Sequence, residues 1–349
     1  MGTTEGVWGS GPSEEYEALA ERFRPIFRRI REGAVRRELD RKLLHEEIGW
    51  LKQAGFGAVR VPRELGGSGA TLPELFGLLT ELAEADSNAA QALRIHFSFV
   101  ERIRGLADGD VRSRWLRRVA QGDIVGNALT EIGEAKVGVF STTLSADAED
   151  GRLRLDGTKF YSTGAIYADW IVVGATAEDG SVVTAIVPSA AAGVDIADDW
   201  AGFGQTLTGS GTTTFARTPV DPNDVLARDT HAKYSAAFVQ KAAEAVQRAC
   251  DAQAAGDEEA AERASVEAEI ETAQAQTVVA RLALDAAASV FDALGASATI
   301  KTSGLDRHWR NARTIASHNP LMYKERVVGD YAVNGTRPPF SWQTGIATS

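Results

Sequence analysis

Apolar positions recur every three to four residues over roughly 13–120 and 232–335, and every second residue in between, so the pattern predicts helices, then strands, then helices. Leu19, Phe23, Ile26, Phe27 and Ile30 follow Ser13, a good N-cap, with Glu14 and Glu15 in the first turn. A second helix covers 42–54 and stops at Gly55. Val59–Pro62 reads as extended, because the residue before a proline avoids the α region. Thr71-Leu72-Pro73-Glu74 opens a third helix, with Pro73 in the first turn. Ser87 caps a fourth, which carries Leu93, His96, Phe97 and Val100, and a fifth spans 111–121.

Strands are expected at 126–131, 141–148, 152–163, 170–175, 182–188 and 212–220, with hairpin turns at Asp150-Gly151 and Asp179-Gly180. Ala-rich stretches on both sides of Gly256-Asp257 predict an antiparallel helix pair. The second helix of that pair carries Val266, Ile270, Ala273, Val278, Leu282, Ala286, Val290 and Leu294 and ends at Gly295. A last helix covers 320–331. The fold class is α+β: a helical domain (13–121), a middle antiparallel β domain (122–228) and a C-terminal helical domain with a tail (229–349). A Gly/Ser/Thr-rich leader (1–12), expected to be flexible, precedes them.

Composition narrows the function classes. With 37 Lys and Arg against 48 Asp and Glu, the net charge is −11, which argues against nucleic acid as a partner. The single cysteine, Cys250, permits neither an intramolecular disulfide nor a Cys-based zinc site and fits a reducing cytoplasm. No apolar run approaches the ~18 residues of a membrane span. The five histidines are scattered, so no metal site is expected, and no nucleotide-binding glycine loop follows a strand. Gly202-Phe203-Gly204 and Gly209-Ser210-Gly211 lie between strands and read as turns.

Four segments carry a family resemblance. Gly55-Phe56-Gly57-Ala58-Val59-Arg60-Val61-Pro62-Arg63-Glu64-Leu65-Gly66-Gly67, Asn127-Ala128-Leu129-Thr130-Glu131 and Gly157-Thr158-Lys159-Phe160-Tyr161-Ser162-Thr163-Gly164-Ala165 resemble motifs of the acyl-CoA dehydrogenase superfamily. His308-Trp309-Arg310-Asn311-Ala312-Arg313-Thr314-Ile315-Ala316-Ser317-His318-Asn319-Pro320 resembles the signature of its flavin-dependent monooxygenase branch, similar to dibenzothiophene monooxygenase and the sulfur-acquisition oxidoreductases. Where many dehydrogenases of the superfamily carry a Glu-Gly-Thr with the base for α-proton abstraction, this chain reads His318-Asn319-Pro320.

The resemblance implies an acyl-CoA dehydrogenase-like fold and a cytoplasmic homo-oligomer, a tetramer or a dimer. It implies reduced FMN or FAD supplied by a separate reductase, and O2 activated as a flavin C4a-(hydro)peroxide to oxygenate a small organic substrate. It assigns His96, His318 and Ser162 to catalysis, and Asn127, Leu129, Thr130, Tyr161, Ser162 and Thr163 to the flavin ring. Arg310, Arg313 and Lys324, with Arg307, form the cationic group from which it draws phosphate contacts. The alternatives are an FAD-dependent acyl-CoA dehydrogenase or oxidase-like enzyme, and a non-catalytic member of the fold. The helical block after Leu226 is shorter than a four-helix bundle of this type by roughly fifty residues.

Overall fold

The computed structural model describes residues 13–132, 140–227, 240–294, 296–318 and 320–339. The leader, Gly295 and most of the segment expected to open the first long C-terminal helix lie outside the described residues.

The first predicted helix is two helices, α1 (Glu14–Ala20) and α2 (Arg24–Asp40), because Pro25 lacks the N–H that would continue α1 and instead sits in the first turn of α2. Ser13 caps α1, its Oγ accepting from Tyr16 N at 3.1 Å. After α3 (His45–Gln53), the segment expected to be extended coils instead. A 3-10 turn at Phe56–Ala58 runs on, with Val61 N on Ala58 O at 3.1 Å. Phe56, Ala58, Val59 and Val61 are all buried, and an extended chain would have turned alternate residues to solvent.

The capping box that opens α4 (Leu72–Ala85) is complete, with Thr71 N on Glu74 Oε2 at 2.6 Å and Glu74 N on Thr71 Oγ1 at 3.3 Å. Asp86, rather than Ser87, caps α5 (Ser87–Arg104), accepting from Asn88 N at 3.0 Å. The last helix of this domain is α6 (Asp110–Ala120). Phe56 anchors the core, meeting Phe23, Phe27 and Phe97 edge-on at 5.1, 5.6 and 5.6 Å between centroids.

Among the described residues eight strands form one sheet: β1 (Val125–Ala128), β2 (Thr143–Ala146), β3 (Leu153–Lys159), β4 (Trp170–Ala177), β5 (Val182–Pro188), β6 (Val194–Ile196), β7 (Thr213–Val220) and β8 (Val225–Ala227). Their order is β6-β7-β3-β2-β4-β5-β8, with β1 also on β4. The sheet is mixed, not purely antiparallel. β1 pairs parallel with the start of β4 and β2 parallel with its end, because the β2–β3 hairpin is inserted between β1 and β4. β6 and β8 hold three residues each, too few for an alternation to be visible.

The C-terminal block holds α7 (Gln240–Ala254), α8 (Glu258–Leu294), α9 (Asp306–Ala316) and α10 (Leu321–Asn334). Gly256, at φ 73°, supplies the left-handed turn between α7 and α8. α7 seats Ala242, Ala243, Ala245 and Val246 in the N-terminal core. α8 buries residues only between Ala268 and Ala273, and beyond that point Val278, Leu282 and Leu294 are more than half exposed (54%, 62% and 53%). No helix among the described residues is long and apolar enough to cross a membrane.

Candidate functional site

Two chain segments meet where β1 and β3 end. Phe160 N donates to Thr130 O at 2.8 Å, which sets Asn127–Glu131 beside Lys159–Thr163. Beneath this junction lies an ion pair. Lys159 is fully buried, its Nζ 2.6 Å from Glu131 Oε1 and 3.9 Å from the centre of the Phe140 ring. Glu131 also accepts from Ser141 N (2.6 Å), Thr142 N (2.9 Å) and Thr142 Oγ1 (2.6 Å). Burial pushes its carboxyl up, but the bonds from Lys159, Thr142 and Ser141 outweigh this and hold it at about 2. The one carboxylate of the two segments is therefore ionised and engaged. It is not a free base.

Beyond Phe160 the chain leaves the sheet. Tyr161 takes a left-handed φ of 58°, is half exposed and meets Trp200 edge-on at 5.8 Å. Ser162 N donates to Gly211 O (2.9 Å) and Gly164 N to Thr208 O (3.0 Å), clasping this turn to the 205–212 loop. Gly164 has φ 76°, and a Cβ there would stand 2.4 Å from Ala92 O on α5, so only glycine lets the turn approach that helix. Within the clasp, buried hydroxyls form a chain: Thr163 Oγ1 to Ser210 Oγ at 2.9 Å, Ser210 Oγ to Thr208 Oγ1 at 2.7 Å, then Thr208 Oγ1 to Gln205 O at 2.9 Å. The glycine triplet read as turns thus also carries Ser210 at the centre of this chain.

The polar ends of the cluster are not all satisfied. Ser162 is 1% exposed, and among the described residues neither its Oγ nor the buried Oδ1 of Asn127 has a partner. Buried polar atoms without partners are rare and costly in proteins, so a site that holds several suits a ligand with matching groups. Exposed Leu129, Thr130 and Tyr161 adjoin them in the chain. A flat, partly polar ring such as a flavin fits this set: apolar surface for its faces, unpaired oxygens for its edge.

The remaining assignments fall elsewhere. His96 is fully buried on α5, and both ring nitrogens are engaged, Nδ1 accepting from Val125 N at 3.1 Å and Nε2 donating to Gly57 O at 2.9 Å. This corrects the catalytic expectation: His96 fastens β1 to α5 and offers no free nitrogen. Burial depresses its pKa to about 4, against the hydrogen bond to Gly57. Since the fold disfavours the cation, stability should be full above about pH 6.5 and lost progressively towards pH 4, by about 3 kcal/mol. Urea unfolding across this window checks it. A His96→Gln variant should flatten the profile between pH 4 and 6.5.

Arg310 is committed as well. It reaches Phe203 O (2.7 Å), Asp306 (2.9 Å) and the buried Glu38 (3.3 Å), so it braces α9 against α2 and the 203–207 loop and is not an open phosphate ligand. Lys324 is buried against Glu269 at 3.0 Å, inside the helical block. Arg307 is half-buried, its pKa lowered by burial, and donates to Gly304 O. Arg313 is exposed on α9, and His318 is exposed in the turn after α9, four residues past Thr314, which lies against Gly204. Trp170 packs on Trp115 and donates to Asp123, a core role.

Asn311 went unassigned in the sequence although it stands in the quoted motif. Its Oδ1 accepts from Gln205 N at 2.6 Å and its Nδ2 donates to Ser87 Oγ at 3.1 Å, joining α9, α5 and the loop of the hydroxyl chain.

Comparison with known proteins adds three domain matches: the N-terminal domain of acyl-CoA dehydrogenase over residues 13–123, the middle domain over 126–218 and the C-terminal domain over 213–322. Dibenzothiophene monooxygenase of Rhodococcus qingshengii is 26% identical over 365 residues, covering 82% of this chain and 86% of the relative. The probable FMNH2-dependent monooxygenase SfnC of Pseudomonas putida is 25% identical over 356 residues, covering 82% and 88%. The crystal structure of TdsC from Paenibacillus sp. A11-2 with FMN and indole superimposes with a TM-score of 0.78 at 23% identity, covering 94% of this chain and all of that one. The 365-residue alignment is longer than the whole 349-residue chain, so the relative holds residues for which this chain has no counterpart.

Proposed function

The chain belongs to the acyl-CoA dehydrogenase superfamily, and on that premise we propose that it is a two-component flavin-dependent monooxygenase. It would take reduced FMN from a separate reductase in the cytoplasm and use O2 to oxygenate a small organic molecule. The observation that carries this reading is the pair of buried, unpartnered oxygens, Ser162 Oγ and Asn127 Oδ1, on segments whose one carboxylate is locked to Lys159. A dehydrogenase of acyl thioesters needs a carboxylate free to take an α-proton, and where many of them carry it this chain reads His318-Asn319-Pro320. The relatives named monooxygenases and FMNH2-dependent support the same choice.

Reduced FMN supplies the two electrons that allow one atom of O2 to enter the substrate while the other leaves as water. The protein's part is positioning. Ser162, with Thr163 beside it, bonds the polar edge of the ring, Asn127, Leu129 and Thr130 line it, and Tyr161 with Trp200 walls one side. His318, in the turn after α9, would be the imidazole that passes a proton. Arg313, exposed on α9, would be a cation for the phosphate.

The exposed apolar residues of α8, Val278, Leu282 and Leu294, support a homo-oligomer, because an apolar helix face is seldom left to water. A helical block shorter than a four-helix bundle of this type leaves fewer helices to cover that face within one chain.

The test is anaerobic titration with FMNH2 followed by O2, with dibenzothiophene and indole as trial substrates. The expected result is binding of reduced FMN and product containing an atom from 18O2. In His318→Ala, product per FMNH2 should fall at least tenfold while H2O2 rises. Tightly bound oxidised FAD with no oxygenated product would return the chain to the dehydrogenase type, and no flavin binding at all would make it a non-catalytic member of the fold.

A further inference from the structure

Gln205 is 3% exposed, yet among the described residues neither its side-chain oxygen nor its side-chain nitrogen has a hydrogen-bond partner. A buried primary amide bonded at neither end has lost water at both, which the fold does not tolerate without cause. The backbone there is firmly set. Gln205 N donates to Asn311 Oδ1 at 2.6 Å, its carbonyl accepts from Thr208 Oγ1 at 2.9 Å, and its φ is 54°, a left-handed value unfavourable to a residue other than glycine. From that carbonyl the chain of hydroxyls through Thr208, Ser210 and Thr163 leads to the turn that holds Ser162, whose Oγ is likewise buried and unpartnered. Tyr161 and Gln205, both left-handed, thus flank one run of hydroxyls. Strain and unpaired polar atoms thus coincide along one run of side chains.

We infer that Gln205 recognises the flavin by its imide edge: Oε1 accepts from N3–H of the isoalloxazine ring, and Nε2 donates to a carbonyl flanking it. This rests on the flavin reading proposed above. The match is one of chemistry. A primary amide presents one acceptor and one donor side by side, and the imide presents the complementary pair. Neither partner carries charge, so the pairing suits a dry site, whereas a phosphate or carboxylate would require a cationic fork.

Wild type and Gln205→Met, which keeps length and removes polarity, are titrated with FMN and with N3-methyl-FMN by quenching of flavin fluorescence. The Tm of each ligand-free protein is measured alongside. Loss of the amide is expected to weaken FMN binding about tenfold, while the ligand-free Met variant melts higher than wild type because the unpaired group is gone. N3-methylation is expected to weaken binding to wild type by a similar factor and to leave the Met variant unchanged.

Equal FMN affinity in both proteins, or an equal penalty for the methyl group in both, overturns the assignment while leaving the flavin site standing. A Met variant that is less stable or unfolded without flavin makes Gln205 a structural residue and also overturns it. Failure of wild type to bind FMN removes both the inference and the reading beneath it.

Discussion

Glu131→Leu should lower the free energy of unfolding by about 3–5 kcal/mol, because it strips the carboxylate from a lysine that has no exposure to water. Lys159→Met should cost clearly less, since Glu131 would keep its bonds from Ser141 N, Thr142 N and Thr142 Oγ1. Urea midpoints of the two variants check the asymmetry, and equal losses would mean that the bonds from Ser141 and Thr142 do not sustain the carboxylate without its lysine. The pH dependence has a defined sign. The carboxyl titrates lower in the fold than in the unfolded chain, so its contribution is complete above about pH 4.5 and is lost as the pH falls through about 2. The pair lies under the junction of the two site segments, so the Leu variant should also lose flavin.

Asn311→Leu should cost about 2–3 kcal/mol, since it leaves the buried N–H of Gln205 without an acceptor and frees Ser87. The larger effect falls on the site. Without that acceptor the 203–208 loop loses its register against α9, and flavin affinity should drop by ten- to a hundred-fold, as expected for about 1.4–2.8 kcal/mol of lost positioning. Asn311→Asp keeps an acceptor for Gln205 N and should retain most of the affinity. Calorimetric titration of the two variants separates positioning from general instability: a Leu variant that matches the Asp variant in affinity would detach α9 from the site.

The domain order was legible because period and length suffice for it, and long helices such as α5 and α8 carry several turns of signal. The 55–65 coil was not, since Val59, Val61 and Pro62 imitate a strand until one asks where Phe56, Ala58, Val59 and Val61 are all to be buried. Parallel pairing of β1 with β4 is a property of an insertion and leaves no mark in either strand. In the site, the motif segments could be found by resemblance, and the structure brings Asn127–Thr130 beside Tyr161–Thr163. Their division of labour could not be read. His96, Arg310 and Lys324 have the chemistry of ligands, and only their partners, Gly57 with Val125, Glu38 with Phe203, and Glu269, show that this chemistry is spent inside the protein. Asn311 and Gln205 are the reverse case, amides with no titration and no motif value, visible only through the bonds they make or lack.

The bare stretch of α8 beyond Ala273 also bears on how the protein behaves with salt. A molecule of net charge −11 repels its copies, while an apolar strip attracts them without regard to ionic strength. At 0.1 M salt the repulsion reaches only about 10 Å, so an association through α8, as proposed above, should strengthen as salt is added, opposite to an interface held by ion pairs. Dilute, low-salt buffer would then be the condition that favours single chains, and with them the state in which this long helix is most exposed to water.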